Sequence, residues 1–65
     1  MGNETHSFSF DITCNDTLQT IKFCARVVGA SDEAYEDIAD RAYEAASVRG
    51  EREFGHSDFE LVEIN

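Results

Sequence analysis

The chain has 65 residues, which is enough for one small domain (residues 1–65) and excludes a multidomain enzyme. Fourteen acidic residues against five basic ones give a formal net charge of -9. A field this negative repels DNA, RNA and anionic membranes, so we expect neither nucleic acid nor membrane as a direct partner, and any charged partner to be basic. The sequence shows no apolar run typical of a membrane span or signal peptide, which predicts a cytoplasmic protein.

Two segments in the first half of the chain alternate polar and apolar residues, a pattern typical of half-buried strands. The first segment covers residues 7–14 and the second covers residues 19–28. Their apolar positions are Phe8, Phe10, Ile12 and Cys14 in the first segment, and Ile21, Phe23, Ala25 and Val27 in the second.

The parity of these positions predicts the register of a hairpin, because paired residues place their side chains on the same face of a sheet. A three-residue loop is excluded. A four-residue loop over residues 15–18 pairs Ile12 with Ile21 and sets Asp11 opposite Lys22, whereas a two-residue loop loses that charge pair. We therefore expect the four-residue loop, since each favourable cross-strand pair contributes about 0.2–1 kcal/mol.

A helix is predicted after the break at residues 29–31. Ser31 or Asp32 can cap its N-terminus, and the helix runs to about Val48, with Gly50 as the left-handed residue that ends it. At about 100° per residue the small and apolar side chains share one face, which predicts close packing on a sheet. The predicted packing face consists of Ala34, Tyr35, Ile38, Ala42 and Ala45, with Ala39 and Ala46 beside it.

Residues 59–64 predict a third strand. Phe59 and Leu61 have one parity and Val62 and Ile64 have the other, which indicates either a bulge or a strand that is apolar on both faces. If the third strand runs parallel to the second strand, its best position in the sheet is beside the first strand. The expected fold is therefore α+β, with element order ββαβ, a three-stranded antiparallel sheet of order 2-1-3, and one helix packed on one face.

The sequence contains no motif for a nucleophile and base, a metal site or a phosphate loop, so we expect no enzyme, no cofactor and no metal. Cys14 shares the parity of the core residues, whereas Cys24 belongs to the opposite face, so a disulfide between them is not expected. The expected roles are a core residue for Cys14 and an exposed thiol for Cys24, with a dimer contact as the alternative for Cys24. His56 is interpreted as part of a solvated turn, and His6 as a residue at a fraying strand end.

The outer face of the predicted helix is strongly acidic. Like-charged pairs four residues apart destabilise a helix by a few tenths of a kcal/mol each, and only Asp37 with Arg41 offsets them. An uncompensated row of carboxylates favours a binding role, with general solubility as the alternative explanation. The predicted partner-binding residues are Glu33, Glu36, Asp37, Asp40 and Glu44.

Two strands, an acidic helix and a third strand on a small anionic chain resemble the small phage-encoded anti-CRISPR proteins directed at type I CRISPR-Cas systems. The resemblance covers the whole chain and rests on size, charge and element order. It implies an inhibitor in the host cytosol that acts as an acidic DNA mimic, binds the basic DNA-recognition surface of a CRISPR effector complex and blocks target DNA binding. In this setting Tyr43 is either an aromatic anchor for the partner or a flank residue that covers the sheet.

Two other interpretations stay open. One is an acidic protein-protein interaction or dimerisation module without DNA mimicry, which would use the helix-free sheet face that carries Lys22, Cys24 and Arg26. A monomer is expected rather than a dimer, and the mass in solution separates these cases. The other is adaptation to high salt, suggested by the abundance of acidic residues.

Overall fold

The computed structural model describes residues 2–64 as one antiparallel sheet with a helix on one face. The elements in chain order are β1 (Asn3–Cys14), β2 (Thr20–Ala30), α1 (Tyr35–Phe54) and β3 (Phe59–Ile64). The strand order is β2-β1-β3, so the predicted α+β fold with ββαβ order is confirmed. None of the helices in this described part is long and apolar enough to cross a membrane.

The hairpin of β1 and β2 has the predicted register. Ile12 pairs with Ile21 and Asp11 with Lys22, and the pairing continues to Asn3 and Ala30, so both strands are longer than predicted at their outer ends. The turn contains the four predicted residues, because the Cys14 N–H donates to the Gln19 carbonyl at 2.8 Å. Within it Leu18 adopts a left-handed conformation with φ 63°, which is unfavourable for a side chain with a Cβ.

The third strand is apolar on both faces, and the alternative of a bulge is wrong. Its pairing with β1 is unbroken from Cys14 and Phe59 to Ser9 and Ile64. Phe59 and Leu61 pack against the core under the helix, whereas Val62 and Ile64 lie on the helix-free face, where they are 53% and 39% exposed. This leaves apolar surface on a face that the protein itself does not cover.

Both predicted ends of the helix are wrong. The helix begins at Tyr35, and the residue before it, Ala34, makes no side-chain capping hydrogen bond. It continues to Phe54 and ends at Gly55, which has φ 78° and donates its N–H to the Glu51 carbonyl at 2.8 Å. Glycine adopts this left-handed conformation without steric cost, so Gly55 has the terminating role that was predicted for Gly50.

Gly50 lies inside the helix, where it faces an aromatic ring. A Cβ built on Gly50 would lie 2.6 Å from ring atoms of Phe59, so only glycine lets the helix approach β3 this closely. The buried helix positions recur every four residues, at Ile38, Ala42, Ala46 and Gly50. The predicted packing face is therefore wrong in part, since Ala34, Tyr35 and Ala45 are exposed.

The hydrophobic core lies between the helix and one face of the sheet. Phe10 and Ile12 on the central strand are fully shielded from solvent, as are Ala42 and Ala46 opposite them. The bulky residues of the sheet thus pack against small residues of the helix, which is the arrangement that dense packing requires. The buried core cluster is Phe8, Phe10, Ile12, Ala25, Val27, Ile38, Ala42 and Ala46.

A candidate acidic interface on the helix

Four of the five predicted partner-binding residues share the outer face of α1. Glu36, Asp37, Asp40 and Glu44 are all exposed and fall within about 100° of arc. None of them forms an ion pair with another group among residues 2–64. The predicted pair of Asp37 with Arg41 is absent, so these carboxylates are even less compensated than expected.

Glu33, the fifth predicted partner-binding residue, does not share this face of the helix. It precedes the helix and is only half-exposed. One carboxylate oxygen accepts the Ala30 N–H at 3.2 Å and the other accepts from Arg41 at 2.6 Å. Glu33 therefore ties the end of β2 to the helix, and its charge is matched within the protein.

Glu51 takes the place of Glu33 on this face. Glu51 lies beyond the predicted helix end at about Val48, but the helix continues past it and places it between Asp40 and Glu44 in angle, at about 100° per residue. Its side chain is exposed and has no ion pair among the described residues. We call the set Glu36, Asp37, Asp40, Glu44 and Glu51 the acidic ridge.

The arginines of the helix lie away from the acidic ridge. Arg41 is paired with Glu33, and Arg49 contacts Glu53 at 3.6 Å and lies over the Phe23 ring of β2 at 5.8 Å. At about 100° per residue Arg52 falls on the same flank as these two. The helix therefore separates its charges, with cations towards β2 and unpaired carboxylates towards solvent.

The aromatic residue near the acidic ridge is used inside the protein. The Tyr43 ring packs edge-on against Phe10, with ring centroids 4.9 Å apart, and the residue is 39% exposed. This contact favours the interpretation of Tyr43 as a flank residue that covers the sheet. Val48, which is 51% exposed, is the apolar residue on the solvent side next to Glu44.

A second polar cluster joins the hairpin turn after β1 to the loop between α1 and β3. The His56 Nε2 atom lies 3.6 Å from the Cys14 sulfur, and the Asp58 N–H donates to His56 Nδ1 at 3.0 Å. Because Nδ1 accepts, the proton of neutral His56 is on Nε2 and points to the sulfur, so the imidazole donates to Cys14 and does not act as its base. Asn15 donates to the Asp58 carboxylate at 2.9 Å. His56 was predicted to be a solvated turn residue, and this contact between distant loops had no sequence signal.

His6 and the two cysteines complete the candidate residues from the sequence. Cys14 is buried and Cys24 is exposed on the other face of the sheet, as predicted. His6 lies within β1 rather than at a frayed end, with its ring edge-on to Tyr35. Residues 2–64 contain no group of three or more His, Cys, Asp or Glu that could hold a metal ion.

The Cys14 thiol gives a prediction about pH. Hydrogen bonds from the backbone and the hydroxyl of Thr17 lower the pKa of this thiol below its usual 9.0, with smaller contributions from Asp16 and His56, while burial opposes them. The Cys14 thiolate stabilises the folded state fully when the pH is above the pKa of this thiol in the unfolded chain. This stabilisation is lost as the pH falls through the pKa of the thiol in the folded chain. The free energy of unfolding of the native protein should therefore rise relative to Cys14→Ser as the pH increases towards 9.0, measured by urea denaturation.

Cys24→Ser is the control for this prediction, because its exposed thiol lies on the other face of the sheet. It should keep the pH dependence of the native protein. Parallel curves for the native protein and Cys14→Ser would show that the Cys14 thiol titrates alike in the folded and unfolded chains.

Comparison of the chain with protein-family models, with curated proteins and with solved structures found no match.

Proposed function

We propose that the protein is an acidic mimic of nucleic-acid phosphate that occupies a basic groove of a nucleic-acid-binding protein. One observation carries this proposal, namely a rigid helix face with five exposed carboxylates and no cation among them. Each like-charged pair four residues apart destabilises the helix by a few tenths of a kcal/mol. A small domain has little stability to lose, so a partner that neutralises the row accounts for it better than solubility does.

The spacing of the acidic ridge supports phosphate mimicry. From Glu36 to Glu51 the helix rises about 22 Å at 1.5 Å per residue, so the five charges lie on average about 5.6 Å apart along the axis, in single steps of about 1.5 to 10.5 Å. One strand of B-DNA carries a charge about every 3.4 Å along its axis. The ridge is thus a sparser but fixed row of anions, and a cationic groove built for a phosphate backbone can accept it.

The proposed mechanism is competitive occlusion. The net charge of -9 attracts a cationic groove over the Debye length, which is about 8 Å at physiological salt, and speeds the encounter. Short-range contacts then determine how slowly the complex dissociates. Val48 offers apolar contact next to the carboxylates, whereas Tyr43 is already packed on Phe10.

The target that we propose is the DNA-recognition surface of a type I CRISPR effector complex. The resemblance to small anti-CRISPR proteins supports this choice through size, charge and the ββαβ order of elements. Inhibition would follow from blocking target DNA before it is bound. On this proposal the protein has a binding role and needs no reacting group, so inhibition should follow its occupancy of the complex.

The experiment that tests this function is a DNA-binding competition. A purified type I effector complex is mixed with the protein and then with a fluorescent target duplex, and the bound duplex is measured by anisotropy. The protein should block the duplex when added first, and its affinity should fall about tenfold or more between about 50 and 200 mM salt, because the attraction is between exposed charges. Undiminished DNA binding at saturating protein, or inhibition unchanged by salt, would refute the proposal.

A further inference from the structure

The helix-free face of the sheet is the second uncovered surface of the protein. Its apolar side chains come from β2 and β3, and its charged ones come from all three strands. We call it the open face. The open face carries Thr5, Ser7, Ser9, Asp11, Thr13, Thr20, Lys22, Cys24, Arg26, Val28, Glu60, Val62 and Ile64.

The charge of the open face differs from that of the rest of the protein. Two cations, Lys22 and Arg26, are balanced by two carboxylates, Asp11 and Glu60, so this face is neutral on a molecule with a net charge of -9. Neither cation forms an ion pair with another group within residues 2–64. A surface with equal numbers of both signs can be complementary to itself, as an interface with two-fold symmetry requires.

Asp11 is unsatisfied in the isolated chain. One of its carboxylate oxygens is shielded from solvent and has no hydrogen-bond partner among the described residues. Lys22 is its cross-strand neighbour but does not approach to ion-pair distance. Buried polar atoms without a partner are uncommon in native proteins and cost free energy, so a rotation of the Asp11 carboxylate towards a donor on a partner surface would be favoured.

The area of the open face is in the range of a weak dimer. With strands about 4.8 Å apart and about 3.4 Å per residue, the three strands cover about 450 Å² in each copy. Two copies would bury about 900 Å², below the roughly 1,200 Å² of standard stable interfaces and in the range of transient ones. Val28, Val62 and Ile64 provide the apolar part of this area.

We propose that the open face binds a second copy of this chain, in a weak two-fold dimer that pairs Lys22 of each copy with a carboxylate of the other. Cys24 lies on β2, level with Ser9 of β1 and Ile64 of β3, and would be covered by the contact. The acidic ridge lies on the opposite side of the sheet, on the outer surface of the helix. The dimer departs from the monomer expected from the sequence, and because it presents two acidic ridges facing outwards it is compatible with the proposed phosphate mimicry.

The dependence on salt separates self-association from binding to a cationic groove. Two copies that each carry -9 repel one another, and salt screens this repulsion more strongly than it weakens the short Lys22 pairs inside the contact. The dimer should therefore tighten about tenfold or more between about 10 and 150 mM salt, measured by sedimentation equilibrium. The same salt increase weakens the binding of the acidic ridge to a basic partner.

Two exposed valines provide a matched pair of variants. Val62 on the open face is 53% exposed and Val48 on the helix is 51% exposed. Val62→Glu and Val48→Glu add the same charge, but only Val62→Glu places it in the proposed interface. Val62→Glu should weaken the dimer about tenfold or more and leave DNA competition intact, whereas Val48→Glu should change the dimer little.

Alkylation of Cys24 gives an independent measurement in the native protein. The thiol is exposed in a single copy, so its reaction with iodoacetamide should slow as the protein concentration rises through the dimer range. A monomer at every salt and protein concentration, with a constant Cys24 rate, would overturn the proposal. So would equal dimer weakening by Val48→Glu and Val62→Glu, because the contact would then not involve the open face.

Discussion

Glu36→Lys combined with Asp40→Lys should abolish the binding of the protein to its cationic partner while the fold is retained. Both residues are exposed in the N-terminal part of the acidic ridge and have no ion pair within residues 2–64. The double change places two cations against a cationic groove, and like-charge contacts across an interface cost several kcal/mol. We expect a loss of affinity of at least about 100-fold in the DNA competition assay.

A matched control separates the position of the charges from their number. Glu4→Lys combined with Asp16→Lys also changes the charge at each of two sites from -1 to +1. Both double variants therefore change the net charge from -9 to -5. Glu4 lies near the start of β1 and Asp16 in the hairpin turn, and both are exposed. This control variant should lose only the long-range part of the attraction, so we expect its affinity to fall about tenfold or less. Equal losses in both variants would mean that the total charge matters and the acidic ridge does not.

Gly50→Leu should unfold the protein or nearly so. The glycine is buried in the helix, and even a Cβ at this position would lie 2.6 Å from the Phe59 ring. A leucine must displace this ring and separate the helix from β3. Overpacking of this kind costs about 1–3 kcal/mol or more, which is a large part of the stability of a domain this small. The measurement is the free energy of unfolding from urea denaturation monitored by circular dichroism.

The controls for this prediction use a helix position that faces solvent and the glycine that ends the helix. Val48→Leu places the same side chain on an exposed position and should change the stability by less than about 0.5 kcal/mol. Gly55→Ala should cost about 1–2 kcal/mol, because its φ of 78° is unfavourable for a residue with a Cβ. If Gly50→Leu is as stable as the native protein, the helix does not pack against Phe59 as described.

The sheet could be predicted almost completely from the sequence. The alternation of Phe8, Phe10 and Ile12 has a period of two, and shifting it by one residue would move every apolar side chain to the solvent. The hairpin register follows from parity together with the pairing of Asp11 and Lys22, and the structure has that register. The separation of Cys14 from Cys24 follows from the same argument.

The helix was predicted less well, since local signals compete at its ends. Ser31 and Asp32 have good capping side chains, and Gly50 follows a basic residue, so each is typical of a helix terminus. The structure uses none of them: the Glu33 N–H donates to the Ala30 carbonyl in a turn that precedes the helix, and Gly50 packs inside the helix against Phe59. The contact of Gly50 with Phe59 joins residues that are not neighbours in the chain, and no pattern within a window of residues contains it.

Periodicity and composition alone were therefore enough to establish the strands, their pairing, the charge of -9 and the existence of an acidic helix. Only the tertiary structure decided which carboxylates remain unpaired, since it joined Glu33 to Arg41 and extended the helix to include Glu51. It also brought His56 to the Cys14 sulfur. The physical reason is that strand pairing repeats along the chain, whereas ion pairs and ring contacts depend on where packing places two distant segments.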